Sequence, residues 1–201
     1  KKNWDLLVSN EISIDLKSDK KALATRIAGS NVLKNIGEAT NSIIGGSADL
    51  TASTKQIVGD SKFSNDNYGG RNLEYGIREH AMGAVVNGIT LHSHLVGYGS
   101  TFLVFSDYMR PSIRLASLME TDSVFIFTHD SIYLGEDGPT HQPIEHLMAL
   151  RLIPNLDVIR PSNSVEVEYA YKYAFSKSGN PKAIVLTRQN LEFLDLENKY
   201  E

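Results

Sequence analysis

Cysteine is absent from the 201-residue sequence, which excludes disulfide bonds, thiolate metal ligands and cysteine nucleophiles. Long apolar runs are also missing, because stretches such as VFIF at 124–127 are far too short to cross a bilayer. No block of lysine or arginine could follow a phosphate backbone, and the formal net charge is −4. We therefore expect neither membrane nor nucleic-acid partners, and the cytoplasm is the expected compartment.

Several short motifs for cofactor or metal binding are missing as well. Neither the dinucleotide fingerprint G-x-G-x-x-G nor the Walker loop occurs, and the glycines at 45–46 and 97–99 are interpreted as isolated turns. HQPIEH at 141–146 has three residues between its first histidine and its glutamate, where the inverted zinc-protease signature has two. HSH at 92–94 is interpreted as a solvated helix end. The sequence thus predicts no metal-binding residue in this chain.

Hydrophobic residues make up 41% of the chain and charged residues 22%, which is typical of one well-buried domain at this length. Short β-branched runs alternate with longer helical patterns. Helices are predicted at about 20–38, 77–93 and 101–120, from about 143, and around 167–174. This alternation predicts an α/β fold, with a doubly wound, mostly parallel sheet and helices on both faces.

Charged or titratable side chains directly follow five of the predicted strands. They are Asp49, Arg78 with Glu79, His129 with the loop to His141, Arg160 and Arg188. In open α/β sheets, ligands bind outside the carboxyl ends of the strands. The loop GEDGPTHQP at 135–143 has too many turn-forming residues to contribute to a core, so its polar groups are either solvated or directed at a ligand.

Two further features are compatible with both packing and function. Phe102, Phe105 and Tyr108 recur at every third residue, which places them on one side of a helix or turn. Glu79 precedes the small and apolar string AMGAVVNGI, where desolvation would favour a proton donor. A surface salt bridge with Arg78 is the alternative for Glu79, and core packing is the alternative for the aromatic residues.

Seven collinear segments give the chain a resemblance to the pyrimidine-binding domain of the transketolase family. They are TRIAGSNVL, GGSADLTAS, YGIREHAMGAVVNGI, TFLVFSDY, THDSIYLGEDGPTHQPIEHL, RPSNSVEV and LTRQNL, from about residue 25 to residue 191. The resemblance implies the pyrimidine-binding module of the thiamin-diphosphate-binding fold. It implies a domain at 20–191, an N-terminal extension at 1–19, and the start of a linker to a further domain at 192–201.

The family resemblance also implies roles for individual residues. Glu79 resembles the glutamate that hydrogen-bonds to N1′ of the thiamin aminopyrimidine and so helps the cofactor lose its C2 proton. Phe105, with Phe102 and Tyr108, resembles the aromatic pocket that packs against the pyrimidine ring. The residues that resemble those of the sugar channel are His129, Asp137 and His141, of which the two histidines also help to move protons. The residues that resemble the clamp on the terminal phosphate are Arg26, Ser53 and Arg188.

The Gly-Asp-Gly motif through which thiamin enzymes hold the diphosphate and a divalent metal does not occur in this chain. The resemblance therefore implies that Mg²⁺ or Ca²⁺ is bound by a diphosphate domain outside it, across a homodimer interface. The isolated fragment is expected to be inactive.

The reaction that the resemblance implies is ketol transfer between sugar phosphates in the pentose phosphate pathway. The alternatives are a dihydroxyacetone synthase, a deoxyxylulose-phosphate synthase, or a non-catalytic assembly module.

Overall fold

A six-stranded sheet forms the centre of the structure, and every neighbouring pair of its strands is parallel. The structure is a computed structural model that describes residues 21–193. The strands are β1 (Ile43–Ser47), β2 (Asn72–Glu74), β3 (Val96–Phe102), β4 (Val124–Thr128), β5 (Asp157–Ile159) and β6 (Lys182–Val185). They are ordered β2-β1-β3-β4-β6-β5. This sheet confirms the predicted α/β fold.

Helices cover both faces of the sheet, as the alternation predicts. They are α1 (Thr25–Ala39), α2 (Thr51–Thr54), α3 (Glu79–His92), α4 (Ser106–Leu118), α5 (His146–Arg151) and α6 (Ser164–Ala174). Short 3-10 turns lie at Leu103–Phe105 and Ile132–Leu134. Helices α1 and α6 pack together on one face, whereas α3 and α4 pack together on the other.

Strand β4 shows why the sheet is buried on both sides. Val124 and Ile126 belong to the core beneath α1 and α6, whereas Phe125 and Phe127 belong to the core beneath α3 and α4. All four side chains are fully buried. Burying an apolar side chain of this size contributes roughly 1.5–3 kcal/mol relative to leaving it exposed. A continuous apolar run is therefore the pattern expected of a central parallel strand.

The interpretation of two glycine clusters as turns is wrong. Gly45 and Gly46 lie inside β1, and the glycines at 97 and 99 lie inside β3. A Cβ atom at Gly46 would lie 1.9 Å from the carbonyl oxygen of Leu73, and one at Gly99 would lie 2.9 Å from the side chain of Met82. These glycines are therefore needed for close packing of strands and helices rather than for chain reversal.

Helix boundaries also differ from the predicted ones. The helix expected from residue 101 begins at Ser106, because Thr101 and Phe102 pair with the end of β4 and so extend β3. The helix expected from about residue 20 begins at Thr25, and Leu23 forms a β-bridge with Leu191 instead. The helix expected from about 143 begins at His146.

The remaining predictions about the chain ends and surface have mixed outcomes. His92 ends α3, and both His92 and His94 are exposed, in agreement with a solvated helix end.

Within residues 21–193, no helix combines the length and apolar character needed to cross a membrane. The predicted extension at 1–19 and most of the predicted linker at 192–201 lie outside the described residues. The boundaries of the domain at 20–191 stay predictions.

Candidate active site

The five charged positions predicted from the sequence all follow the carboxyl ends of strands at one edge of the sheet. Asp49 follows β1, Arg78 follows β2, and His129 follows β4, while Arg160 and Arg188 follow β5 and β6. Parallel pairing makes this a single edge. Arg160 is occupied in an ion pair, because its Nε and Nη2 donate to the buried carboxylate of Asp130 at 2.8 and 2.6 Å.

A cavity of about 780 Å³ opens at this edge. It lies beside the carboxyl ends of β1 and β3, where the strand order reverses direction and where ligands bind in sheets of this type. Its lining residues are Ala48, Asp49, Leu50, Ile77, Arg78, Glu79, His80, Ala81, Phe105, Tyr108 and His141. The cavity therefore brings together the predicted acid, two of the three predicted aromatic residues and one predicted histidine.

Glu79 is the first residue of α3, and it is only 8% exposed. The predicted alternative of a surface salt bridge with Arg78 is wrong, because Glu79 is buried and the described residues contain no ion pair between the two; Nη1 of Arg78 donates instead to the carbonyl oxygen of Tyr75 at 3.0 Å. Within residues 21–193, no hydrogen bond or ion pair occupies the Glu79 carboxyl group. Glu79 is thus a buried residue whose carboxyl group opens onto the cavity without a protein partner, and such a group is available to a ligand.

The aromatic residues form a connected series that runs from β3 into α4. The ring centroids of Phe102 and Phe105 are 5.8 Å apart, and those of Phe105 and Tyr108 are 5.9 Å apart. Phe105 and Tyr108 line the cavity, whereas Phe102 is buried and stacks on the ring of His129, with 3.7 Å between centroids. Phe102 thus packs against His129 without lining the cavity, whereas Phe105 and Tyr108 contribute to the cavity wall.

His129 is held firmly at the end of β4. It has a left-handed backbone with φ of +57°, and its Nδ1 lies 2.8 Å from the hydroxyl oxygen of Thr128. Burial lowers the pKa of His129 to about 4, and the positive charges of Arg26 and Arg188 act in the same direction. The imidazole is therefore neutral at pH 7.

The low pKa of His129 predicts that the chain loses stability as the pH falls. Below about pH 6.5, His129 binds a proton in the unfolded state, whereas in the folded state it does so only below about pH 4. Between pH 7 and pH 5, this difference lowers the free energy of unfolding by about 2 kcal/mol. Urea unfolding at each pH should show that His129→Gln loses less unfolding free energy between pH 7 and pH 5 than the original chain does. His92→Gln, at an exposed helix end, should lose as much as the original chain. Equal losses in all three proteins would contradict the low pKa assigned to His129.

The loop at 135–143 follows an irregular path next to these residues. Gly135 and Gly138 adopt φ of +111° and +87°, a region that other residues rarely occupy. His141 is half-buried and lies 5.3 Å from Phe105 between ring centroids, and its Nδ1 lies 2.9 Å from the Thr140 hydroxyl. Asp137 is exposed, and it raises the pKa of His129 against the effect of burial. The loop therefore brings His141 and Asp137 near His129.

The predicted phosphate clamp is assembled by hydrogen bonds between α1 and the end of β6. The backbone N–H of Thr25 donates to Thr187 Oγ1 at 3.0 Å, and the N–H of Thr187 donates to Thr25 Oγ1 at 2.7 Å. These bonds place Arg26 beside Arg188. Burial lowers the pKa of Arg26, and the positive charge of Arg188 acts in the same direction. Nη1 of Arg26 donates to the carbonyl oxygen of Ser53. All three predicted clamp residues are therefore neighbours.

Sequence reasoning missed several lining residues. The sequence places Asp49 after a predicted strand but indicates no role for it at the site, whereas in the structure Asp49 lines the cavity and has φ of +61°. Ile77 lines the same cavity and is 80% exposed. Isoleucine is usually buried, so nothing in the sequence indicates that Ile77 is exposed. The one indication of a site here is that Ile77 directly precedes Arg78 and Glu79.

Among the described residues, one group has the composition of a metal site: Asp107, Glu145 and His146. His146 is buried, and its Nε2 lies 2.9 Å from Oδ2 of Asp107, which is an ordinary contact between α4 and α5. We interpret this group as a link between the two helices. The expectation that this chain contributes no metal ligand stays a prediction.

The fold and the cavity define an α/β ligand-binding domain whose site lies where the strand order reverses. The family model for the "Transketolase, pyrimidine binding domain" matches residues 21–193. The chain therefore belongs to the transketolase family, as its pyrimidine-binding domain.

Individual relatives agree with this assignment. The chain is 49% identical to the transketolase of Geobacillus stearothermophilus over 185 residues, which is 92% of this chain and 28% of that protein. It is similar in structure to the transketolase of Leishmania mexicana, with a TM-score of 0.90, 38% identity, and coverage of 96% of this chain and 30% of that one. A Pichia stipitis transketolase in complex with sedoheptulose-7-phosphate gives a TM-score of 0.89 and 40% identity, with 96% and 31% covered. The chain thus spans under a third of the length of these relatives.

Proposed function

We propose that the protein containing this domain transfers a two-carbon ketol unit from a ketose phosphate to an aldose phosphate, with thiamin diphosphate as its cofactor. The observation that carries the proposal is the unpartnered carboxyl group of the largely buried Glu79, which opens onto a cavity shared with Phe105, Tyr108 and His141. The sedoheptulose-7-phosphate complex of the Pichia stipitis relative supports a sugar phosphate as substrate.

The cavity fits the aminopyrimidine end of thiamin diphosphate. An aminopyrimidine offers a ring nitrogen to a carboxyl group and a flat face to an aromatic side chain, and Glu79, Phe105 and Tyr108 supply both. When bound, the cofactor supplies the nucleophilic carbon that carries the two-carbon unit. Glu79 would hold and release a proton at the ring nitrogen, and its burial strengthens that hydrogen bond.

The histidines supply groups for the sugar. His129 is neutral at pH 7, so one of its ring nitrogens donates a hydrogen bond and the other accepts one. His141 lines the cavity beside Phe105, and Asp137 adds a carboxylate from the same loop. In the proposed function, these three residues bind hydroxyl and carbonyl oxygens of the ketose and orient them, and the histidines move protons between them.

The exposed part of the cavity wall supports a partner domain. Ile77 and Tyr108 line the cavity, yet they are 80% and 65% exposed in this chain. Exposed apolar and aromatic residues beside a cavity are typical of a surface that another protein covers. We propose that the diphosphate domain of a second subunit covers them and that it binds the diphosphate and a divalent metal, Mg²⁺ or Ca²⁺.

The test is a turnover assay on the complete protein. With thiamin diphosphate and Mg²⁺, it should convert xylulose 5-phosphate and ribose 5-phosphate to the ketol-transfer products, and this chain alone should not. A deoxyxylulose-phosphate synthase would instead condense pyruvate with glyceraldehyde 3-phosphate, and a dihydroxyacetone synthase would use formaldehyde as its acceptor. Absence of ketol transfer in the complete protein would refute the proposal.

For a variant of the phosphate clamp, we predict a loss of apparent affinity that is specific for phosphorylated sugars. Arg188→Gln removes one guanidinium beside Arg26, and a charge-assisted hydrogen bond of this kind contributes about 1.5–3 kcal/mol. We expect the KM for fructose 6-phosphate to rise about 10- to 100-fold with kcat nearly unchanged, while the weak turnover of unphosphorylated fructose stays within about threefold.

The matched control for this prediction is Arg151→Gln, which removes an exposed arginine in the last turn of α5. It should leave both substrates unaffected. An equal loss for fructose and fructose 6-phosphate in the Arg188 variant would show that Arg188 does not act on the phosphate.

A further inference from the structure

We infer that Thr128 is a positioning residue that fixes the tautomer of His129, so that Nδ1 accepts a hydrogen bond from Thr128 and Nε2–H is presented to the ligand. The inference deepens the proposed function, because it assigns the donor that His129 offers to a ketose oxygen. It rests on a contact between a buried hydroxyl group and a buried ring at the end of β4.

The hydrogen-bond inventory of Thr128 decides which atom carries the proton. Its side chain is completely buried, and Oγ1 lies 2.8 Å from His129 Nδ1. Within residues 21–193, Thr128 Oγ1 has no other hydrogen-bond partner. If His129 donated from Nδ1, the Thr128 hydroxyl proton would be left buried and unsatisfied, which is costly. Donation from Thr128 to Nδ1 satisfies both groups and leaves the ring proton on Nε2.

The surroundings hold the ring in this orientation. His129 stacks on Phe102 with 3.7 Å between ring centroids and an interplanar angle of 27°. Its backbone is fixed in the left-handed region by the turn after β4. Among the described residues, no protein group accepts a hydrogen bond from Nε2, although that atom is not closed off by the protein. A carbonyl or hydroxyl oxygen of a ketose is the kind of acceptor that this N–H fits.

A second threonine–histidine pair provides a contrast, and its threonine does not line the cavity. Thr140 Oγ1 lies 2.9 Å from Nδ1 of His141, but Thr140 is exposed and His141 is only half-buried. Water can satisfy the Thr140 hydroxyl in either direction, so the contact does not fix the His141 tautomer. The two pairs share one sequence spacing, and their contact distances of 2.8 and 2.9 Å are nearly equal, but they differ in access to water. Thr140→Val is therefore a matched control for Thr128→Val.

The primary test is neutron diffraction from deuterated crystals of the complete protein. We expect a deuteron on Nε2 of His129, none on Nδ1, and the hydroxyl deuteron of Thr128 directed at Nδ1. A deuteron on Nδ1 of His129 would overturn the inference. This readout does not depend on turnover, so failure of ketol transfer and failure of the tautomer assignment are distinguished.

Kinetics of the same protein provide the second test. Thr128→Val should lower kcat/KM for the ketose about tenfold, with a change in the pH profile of kcat/KM on its acidic side, because His129 loses its fixed acceptor. Thr128→Ser restores a hydroxyl group and should stay within about threefold of the original, as should Thr140→Val. If Thr128→Val folds normally and keeps its full kcat/KM and pH profile, the positioning role is wrong.

Discussion

Glu79→Gln is expected to lower the kcat of ketol transfer in the complete protein by about 10²- to 10⁴-fold. Glutamine has nearly the same shape as glutamate and can still form hydrogen bonds in the cavity. An amide, however, cannot hold and release a proton at a ring nitrogen as a carboxyl group does. The loss should therefore appear mainly in kcat, measured at saturating thiamin diphosphate, whereas cofactor binding falls less.

The matched control is Glu74→Gln, at the end of β2. Glu74 is exposed, and within residues 21–193 its one ion-pair partner is Lys62 at the surface, so this change should leave kcat within about twofold. If Glu79→Gln kept activity within a few fold of the original, Glu79 would not be the proton-sharing group. In that case, a non-catalytic assembly module would become the better interpretation of the fold.

The architecture could be predicted from the sequence because its signals are local. The apolar run at 124–127 indicates a strand buried on both faces, and the helical spacing of Val167, Ala170, Tyr171 and Ala174 indicates one buried helix face. The errors occur where long-range contacts override local preference. Phe102 extends β3 because β4 lies beside it, and Gly46 is required by the approach of Leu73 rather than by a turn.

The site could be predicted only in part. Parallel strands bring their carboxyl ends to one edge, so the positions of Glu79, His129 and Arg188 follow from the order of elements. The direction in which a side chain points does not follow from that order. Arg160 also follows a strand, yet it pairs with Asp130, and Thr128 looks like any other β-branched strand residue until its hydrogen bond is seen.

Lys182→Met is expected to be the most destabilising of the substitutions considered, at about 3 kcal/mol. Lys182 is completely buried at the start of β6, and its Nζ lies 2.6 Å from Oδ1 of Asp122. The same carboxylate oxygen accepts from the backbone N–H groups of Ser178 and Gly179 at 2.8 and 2.9 Å. Removing the lysine leaves a largely buried carboxylate that keeps, among the described residues, these two neutral donors. The resulting fall in the free energy of unfolding can be measured by urea unfolding.

Lys172→Met provides the matched control for this prediction. Lys172 pairs with Glu168 at 2.7 Å across one turn of α6, and its side chain is partly exposed. An i,i+4 pair of this kind contributes about 0.3–0.5 kcal/mol, so this variant should be nearly as stable as the original. Equal losses in the two variants would contradict the role assigned to burial.

The double variant Asp122→Asn/Lys182→Met separates the ion pair from simple packing. It removes the uncompensated charge, so it should recover part of the stability that Lys182→Met loses. The pair lies at the amino ends of the strands, opposite the cavity, and its hydrogen bonds within the described part of the chain reach no residue that lines the cavity. Each Lys182 variant should therefore keep its kcat per folded molecule in the complete protein. A fall in kcat at temperatures where the variant is fully folded would show that the distant end of the sheet positions the site.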